Sequence, residues 1–314
     1  MAKPLRVFFV TDVHGSNTCY RKFLNALKVY NVDVGILLGD LTGKVLIPLI
    51  EKADGTGWET TLMGHYTEVN TQEELDKLKK TIEMMGYYWV HQTREEFEAY
   101  RSDPVKVDQL FKQQMMARLK EWIALADERL GDTPFKVYMA PGNDDHFEVD
   151  DVIEDSKVIV NCNNKKVMVG DHEMVTFAWA NPTPWDTPRE KPDEELEPML
   201  EELIALVDDK PSAIFNFHAP PYGYALDLAP ELTKDLVQAA DRKVHVGSRA
   251  VAKMIEKYQP LIGLHGHIHE SRGAQKAGRT LLLNPGSEYS EGILKGVVII
   301  LERNKVVDYI FTSG

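Results

Sequence analysis

The chain has 314 residues, with 49 acidic against 36 basic side chains and a formal net charge of −13. Its 43% hydrophobic and 27% charged residues are typical of a globular protein, and they exclude a chain that is disordered, collagen-like or coiled-coil throughout. The acidic balance speaks against the broad basic surface that extended duplex nucleic acid requires, although a local site for one phosphate stays open.

The sequence contains no stretch near the roughly 20 apolar residues that span a bilayer, and its start has no signal-peptide core. We therefore expect a cytoplasmic protein that does not meet a membrane. Cys19 and Cys162 are the only cysteines, too few for a disulfide framework and without a metal-binding spacing. They are expected to be reduced thiols with no role.

Short, continuously apolar runs followed by turn residues predict buried strands. In chain order they are 7–10, 34–38, 136–139, 213–217 and 261–264. Helical spacing of apolar residues over 19–30 and 248–258 places helices between some of them, which predicts an α/β sandwich. Further strand-like pieces come late and mostly without helices between them, and they predict a second, mixed or antiparallel sheet packed on the first. These pieces are 157–160, 166–169, 174–178, 280–283, 296–301 and 305–311.

The segment 44–130 interrupts this pattern, and we interpret it as a helical insertion within a single domain of residues 1–314. Thr71 and Glu74 have the spacing of a capping box and start a helix over 71–85. A second helix over 104–130 carries a stripe of Met and aromatic residues, which favours core or a surface for homo-oligomer formation over a cofactor site. The insertion is expected to be a cap or an oligomer surface.

Metal-binding side chains follow each of the five buried runs. They are Asp12 and His14, Asp40, Asn143 and Asp144, His218, and His267 and His269. In open α/β sheets ligands gather outside the carboxyl ends of strands, so these side chains are expected to meet in one patch. One such residue alone would usually be a cap or a turn, but that explanation would be needed five times.

The number of candidate ligands predicts two metal ions. Seven side chains exceed the three or four that one zinc site takes: Asp12, His14, Asp40, Asn143, His218, His267 and His269. Mixed nitrogen and oxygen donors suit Mn, Fe, Zn or Co better than Mg or Ca. Two such ions roughly 3.5–4 Å apart hydrolyse phosphoesters.

The ordered set Asp12-x-His14, Gly39-Asp40, Gly142-Asn143, His218 and Gly266-His267-x-His269 resembles the motifs of the calcineurin-like metallophosphoesterases. The resemblance covers residues 5–41, 134–145 and about 212–290. It implies a four-layer α/β sandwich, two mixed sheets flanked by helices, with a dinuclear site at the strand ends.

The resemblance also implies a role for each ligand. Asp12, His14 and His269 would hold the first metal, Asn143, His218 and His267 the second, and Asp40 would bridge them. A metal-bound hydroxide would then attack phosphorus in line.

One position departs from the family pattern. The third motif usually continues with a His that assists the leaving group, and here that residue is Asp144. With an ordinary pKa near ~3.9 an Asp is a poor general acid, unless burial or a neighbouring carboxylate such as Asp145 raises the pKa. Phosphodiesters or activated monoesters are therefore favoured over other monoesters. His146 is an alternative proton donor, two positions further on.

Three further residues are candidates for contacting a small phosphoester substrate. Tyr222 follows the proline loop after His218, and a rigid turn with a surface Tyr is the alternative interpretation. Arg189 lies in a proline-rich loop, 181–190, that resembles one in some family members; it is a candidate to meet a phosphate, and a solvated loop Arg is the alternative. Ser248 opens a helix whose N–H groups can accept an anion, and an ordinary N-cap is the alternative.

Two other functions stay open at this point. The fold serves some relatives as a non-catalytic interaction scaffold, but scaffolds lose metal ligands and this chain keeps all seven. A nuclease acting on single-stranded nucleic acid is the second alternative, because two divalent cations make the field near the site locally positive.

Overall fold

The computed structural model describes residues 3–232 and 238–314. The helices there are α1 (Asn17–Val29), α2 (Gln72–Met84), α3 (Arg94–Arg101), α4 (Pro104–Leu130), α5 (Glu148–Glu154), α6 (Asp193–Ala205) and α7 (Arg249–Tyr258). The first nine strands are β1 (Leu5–Thr11), β2 (Val34–Leu38), β3 (Leu46–Glu51), β4 (Trp58–Leu62), β5 (His65–Val69), β6 (Tyr88–Gln92), β7 (Lys136–Ala140), β8 (Ile159–Asn161) and β9 (Lys166–Val169). The other nine are β10 (His172–Phe177), β11 (Ile214–Phe217), β12 (Leu228–Leu232), β13 (Gln238–His245), β14 (Ile262–Leu264), β15 (Gly273–Ala277), β16 (Thr280–Asn284), β17 (Lys295–Glu302) and β18 (Lys305–Ser313).

Two six-stranded mixed sheets form the centre of the molecule. The first has the order β18-β17-β1-β2-β7-β8 and the second β15-β16-β14-β11-β10-β9. In the first sheet β1, β2, β7 and β8 are parallel, and in the second β10, β11, β14 and β16 are parallel. Antiparallel strands complete the edges of both sheets.

Buried side chains on both faces of the central strands explain their continuously apolar sequence. Along β1, Val7 and Phe9 point into the core between the sheets, whereas Phe8 and Val10 pack under the helices. Helices α1, α4 and α5 contribute to the core outside the first sheet, and α6 and α7 to that outside the second. The predicted fold class, two mixed sheets flanked by helices, is confirmed.

The distribution of strands over the two sheets differs from the sequence-based expectation. β11 and β14 belong to the second sheet, while β8, β17 and β18, predicted as part of a later second sheet, join the first. Parallel strands buried on both faces look alike in sequence whichever sheet they enter, so the pattern does not specify the pairing.

The segment 44–130 contains the two expected helices, α2 with the Thr71–Glu74 capping box and α4 over 104–130. The interpretation as a helical insertion is incomplete, because β3 to β6 also form a four-stranded sheet of order β5-β4-β3-β6 there. These strands are short, and several of their residues are exposed, so they lack long apolar runs. The stripe on α4 is core in its C-terminal half, where Leu119, Trp122 and Ile123 are buried.

Strands β12 and β13 pair with each other and form a two-stranded ribbon. No helix within the described residues is long and apolar enough to cross a membrane.

Candidate metal centre

The carboxyl ends of five central strands, three from the first sheet and two from the second, bring the predicted ligands together. Asp12 and His14 follow β1, Asp40 follows β2 and Asn143 follows β7; His218 follows β11, and His267 and His269 follow β14. All are buried except His267 and His269, which are half-buried. The single patch expected from the sequence is therefore present, and both sheets contribute to it.

Asp12, His14 and His269 form the first group, with one potential ligand atom from each within 4.8 Å of the others. His14 Nε2 lies 3.1 Å from His269 Nε2, and His269 Nε2 lies 3.5 Å from Asp12 Oδ1. Two imidazole nitrogens facing each other beside a carboxylate can both direct lone pairs at one cation.

Asp40, His218 and His267 form the second group by the same distance limit. The Asn143 amide completes it, because its Oδ1 lies 3.1 Å from His218 Nε2 and 2.8 Å from His267 Nδ1. These are the residues that the family resemblance assigns to the second metal, together with the residue that it assigns to the bridge.

Asp40 lies between the two groups. Its Oδ1 is 3.4 Å from His218 Nε2, and its Oδ2 is 3.7 Å from His14 Nε2. Each carboxylate oxygen thus faces a different group, which is the placement that a bridging ligand needs. His14, Asp40 and Asp144 make a third, overlapping cluster.

The charges in the patch shift its pKa values in opposite directions. Burial raises the pKa of Asp12, but His218, His269 and His14 outweigh burial, and the net pKa is lowered. Burial lowers the pKa of His218, but Asp40 and Asp12 outweigh it and raise the pKa to about 9. Burial dominates at His267 and lowers its pKa to about 3. This donor set, carboxylate and amide oxygens beside imidazole nitrogens, fits divalent metal ions once His218 has lost its proton.

Backbone strain is concentrated at the same residues. Asp12, His14, Asp40 and His267 have φ values of 53°, 40°, 43° and 67°, in the left-handed region that residues other than Gly rarely adopt. Each such residue costs about 1–2 kcal/mol. Strain of this kind persists where the surroundings force it and is enriched at functional sites.

Steric crowding explains why the Gly-Asn motif has a glycine at position 142. A Cβ on Gly142 would collide with the Asp40 carboxylate and would stand 2.8 Å from His218 Nε2. Only Gly lets the loop after β7 approach the ligands from the other strands this closely.

Asp145 holds the loops after β2 and β7 together. Its buried carboxylate accepts hydrogen bonds from the N–H groups of Leu41, Thr42 and Gly142, at 2.9, 2.9 and 2.8 Å. Its carboxylate is therefore occupied with these loops, and it is not the neighbour that acts on Asp144. Burial and Asp40 raise the pKa of Asp144, partly offset by Lys44.

Sequence reasoning missed two residues of the centre. Lys44 forms an ion pair with Asp144, and the Tyr289 ring packs at a tilt against the His14 ring, with centroids 4.5 Å apart. Lys44 comes four residues after the Gly-Asp motif, which was a usable signal. Tyr289 belongs to a short helical turn after β16 that no pattern connects with the centre.

The four remaining candidates lie away from the ligand groups. Arg189 is 2% exposed, and its guanidinium donates to the carbonyls of Asp145 and His146 and to Asp150. The expectation that Arg189 meets a phosphate is therefore corrected: it braces the loop behind Asn143, since its charge is taken up internally.

Tyr222 stacks against Arg249, with Cζ 3.7 Å from the ring centroid, and Ser248 caps α7 by accepting from Val251 N. The rigid turn and the N-cap, the alternatives weighed for these residues, describe what the structure shows. His146 is half-buried, and neither it, Tyr222 nor Ser248 is among the described residues that line the cavity at the centre.

That cavity has a volume of about 450 Å³. Asp40, Asn143, His267 and His269 line one end of it, together with Lys44 and Asp144. The candidate ligands are therefore reachable by a small molecule.

Comparison with known proteins gives one relative in sequence and several in fold. The uncharacterized protein MJ1162 of Methanocaldococcus jannaschii is 34% identical over 173 residues, which are 54% of this chain and 73% of that protein.

One crystal structure aligns with 98% of both chains at a TM-score of 0.61 and 15% sequence identity. The structure of TT1561 of Thermus thermophilus aligns with 99% of both chains at a TM-score of 0.52 and 14% sequence identity. These two structures show the fold alone. Yfce, a phosphoesterase from E. coli, aligns with 98% of both chains at 10% identity and a TM-score of 0.33. No family model matches the chain.

Proposed function

We propose that this chain, which belongs to the same family as the uncharacterized protein MJ1162 of Methanocaldococcus jannaschii, is a metal-dependent phosphoester hydrolase of the calcineurin-like metallophosphoesterase type. One observation carries the proposal. All seven candidate ligands, spread from Asp12 to His269 along the chain, converge at the strand ends in two groups with Asp40 between them.

The donor set supports two divalent ions, with Mn, Fe, Zn and Co as the candidates. Asp12, His14 and His269 would hold one, Asn143, His218 and His267 the other, and Asp40 would bridge them. When bound, such a pair polarises a phosphoryl group and activates water for in-line attack. Hydrogen bonds from Thr11 Oγ1 and His267 N orient the Asp12 carboxylate, and one from Asp144 N orients the Asp40 carboxylate.

Lys44 and Asp144 face the substrate end of this arrangement. Both line the cavity next to Asp40, where a phosphoryl oxygen would lie. The Lys44 ammonium would bind that oxygen. Asp144, whose pKa is raised by burial and by Asp40, occupies the position of the family's leaving-group His. An Asp held by Lys44 is a weaker proton donor than that His, so phosphodiesters and activated monoesters are the preferred substrates.

The test is turnover of bis(p-nitrophenyl) phosphate with Mn²⁺ supplied. Asp40→Asn keeps the shape of the side chain but removes the bridging charge, and we expect turnover to fall at least about a thousandfold. Asp132→Asn, at an exposed position, is the matched control and should keep wild-type turnover. Unchanged activity of Asp40→Asn would refute the bridging role.

The same assay with p-nitrophenyl phosphate tests the substrate preference. We expect a higher kcat/KM for the diester. A clear preference for the monoester would contradict the argument from Asp144 while leaving hydrolysis itself in place.

A further inference from the structure

The cavity at the metal centre continues well beyond the ligands, between two walls that the metal-binding motifs do not account for. One wall is the loop 182–185 with Pro182, Pro184 and Trp185, and the other is the ribbon end with Val244 and Val246. At about 450 Å³ the cavity is within the range of pockets that enclose a small organic ligand. The bound phosphoryl group would fill only its metal end.

Both walls present apolar surface that the folded chain leaves uncovered. Trp185 is 63% exposed and Val244 is 36% exposed, although both side chains line the cavity. An exposed indole beside proline rings and a valine provides a flat apolar surface. A ligand group that covered it would gain the free energy of removing this surface from water.

The tryptophan loop is fixed in place by polar contacts to the centre itself. Glu190 accepts hydrogen bonds from Thr183 and Thr187, and Thr187 Oγ1 accepts from the Asn143 amide at 2.8 Å. Asn181 Nδ2 also donates to the carbonyl of Val246 at 3.0 Å, which ties the two walls together. The apolar walls are therefore set at a defined position relative to the ligands.

The charged residues that line the cavity limit which further charged groups a ligand can have. Among the described residues that line it, Lys44 is the one cation, and it lies at the metal end paired with Asp144. Glu270, the residue directly after the candidate ligand His269, adds a negative charge to the same lining. A second phosphate beyond the metal end would meet no counter-charge from these residues and would be repelled.

Resting on the proposed function, we propose that the substrate is a phosphoester with a single phosphoryl group whose organic part is uncharged, apolar and about the size of an aromatic ring system. The phosphoryl group binds at the metal end, and the organic group lies between Trp185 and the valines of the ribbon. Substrates with a second phosphate are disfavoured.

The experiment compares three p-nitrophenyl diesters, so that the leaving group stays the same. Their second alcohols are phenol, methanol and an alcohol that bears a phosphate monoester of its own. We expect kcat/KM with Mn²⁺ to be at least about tenfold higher for the phenyl than for the methyl diester, and lowest for the doubly charged one. Equal kcat/KM for phenyl and methyl, or a preference for the doubly charged diester, would overturn the inference and leave the proposed function standing.

Two variants test whether the preference for the phenyl diester depends on Trp185. Trp185→Ala should reduce the phenyl-to-methyl ratio of kcat/KM to about 2 or less, since it removes the indole surface. Tyr309→Ala, which removes a partly exposed aromatic ring from β18 outside this cavity, should keep the wild-type ratio. A ratio that Trp185→Ala leaves intact would contradict the assignment.

Calorimetric binding of phenylphosphonate and methylphosphonate to the 314-residue chain separates the two proposals. Tighter binding of phenylphosphonate that Trp185→Ala abolishes supports the apolar pocket. If that result came with no turnover of any diester, the proposed function would fail while the pocket's ligand class stood. Equal binding of the two phosphonates would overturn the pocket.

Discussion

His218 holds a proton at neutral pH that a bound metal ion would have to displace. Burial lowers its pKa, but Asp40 and Asp12 outweigh burial and raise the pKa from 6.5 to about 9. The stabilisation that the charged form gives the metal-free protein is therefore complete below the unfolded pKa near 6.5, and it is lost as pH rises through about 9. The pKa of His267 is lowered to about 3, so this imidazole is already neutral and releases no proton when a metal ion binds.

We predict that the affinity for Mn²⁺ rises between pH 6 and pH 9, by up to about tenfold per pH unit from His218 alone. Competition against a calibrated chelator across this range measures the affinity. Calorimetry in buffers of different ionisation enthalpy counts the protons released. An affinity that does not change with pH would contradict the assignment of His218 as a ligand.

Lys44 allows a second prediction at the level of a single residue. Partial burial works against its charge, but Asp144 and Asp40 outweigh burial and raise the pKa of Lys44, which therefore stays charged. Lys44→Met should lower kcat/KM for a bis-aryl phosphate about 10- to 100-fold, since it removes the cation that meets the phosphoryl oxygen. Lys44→Arg should retain most of the activity. Equal loss in both variants would indicate a role in packing alone.

At the scale of elements, the insertion 44–130 braces the loop that carries His14. Arg118 on α4 donates to the carbonyl of Gly15 at 3.0 Å, and Ser16 Oγ donates to the carbonyl of Met84 at the end of α2 at 2.6 Å. Gly86 fits against the same loop with a φ of 81°, and a Cβ on it would collide with the carbonyl oxygen of His14. These contacts connect the insertion to the first metal group.

Gly86→Ala is predicted to destabilise the fold by about 2–4 kcal/mol, from left-handed strain together with this clash. It should also weaken Mn²⁺ binding, because His14 must move. Gly64→Ala is the matched control: Gly64 has a φ of 79° with open space around its Cβ position, so only the strain of about 1 kcal/mol applies. Urea unfolding and Mn²⁺ titration measure both effects. Equal losses in the two variants would show that the His14 contact contributes nothing.

The elements that sequence patterns reveal are those whose burial is uniform. β2 is buried at all five of its positions, and its predicted bounds, 34–38, are those observed. β4 and β5 mix exposed and buried residues within five positions each, so their pattern is too weak to distinguish strand from loop. Helix α4 is predictable because its apolar stripe is long and starts at an N-terminal Pro.

At the scale of the whole molecule, the candidate metal centre lies where the two sheets meet. The candidate ligands after β1, β2 and β7 come from the first sheet, and those after β11 and β14 from the second. The residue types at the strand ends predict this meeting, because Asp, His and Asn recur after all five buried strands. The position of Trp185 is not predictable in this way, since the conformation of its loop places it.

Ions bound between the sheets should stabilise the entire fold. A ligand at a hundred times its dissociation constant adds about 2.7 kcal/mol to the native state, which corresponds to a rise in Tm of about 4 °C for a domain of this size. We predict such a rise with Mn²⁺ and its reversal by a chelator, measured by calorimetric unfolding. His218→Gln should lose most of the rise because the second group loses a ligand, whereas His65→Gln, at an exposed position of β5, should keep it. If His218→Gln responded to Mn²⁺ as the wild type does, the ion would be bound elsewhere, and the two sheets would be held together by the apolar core between them alone.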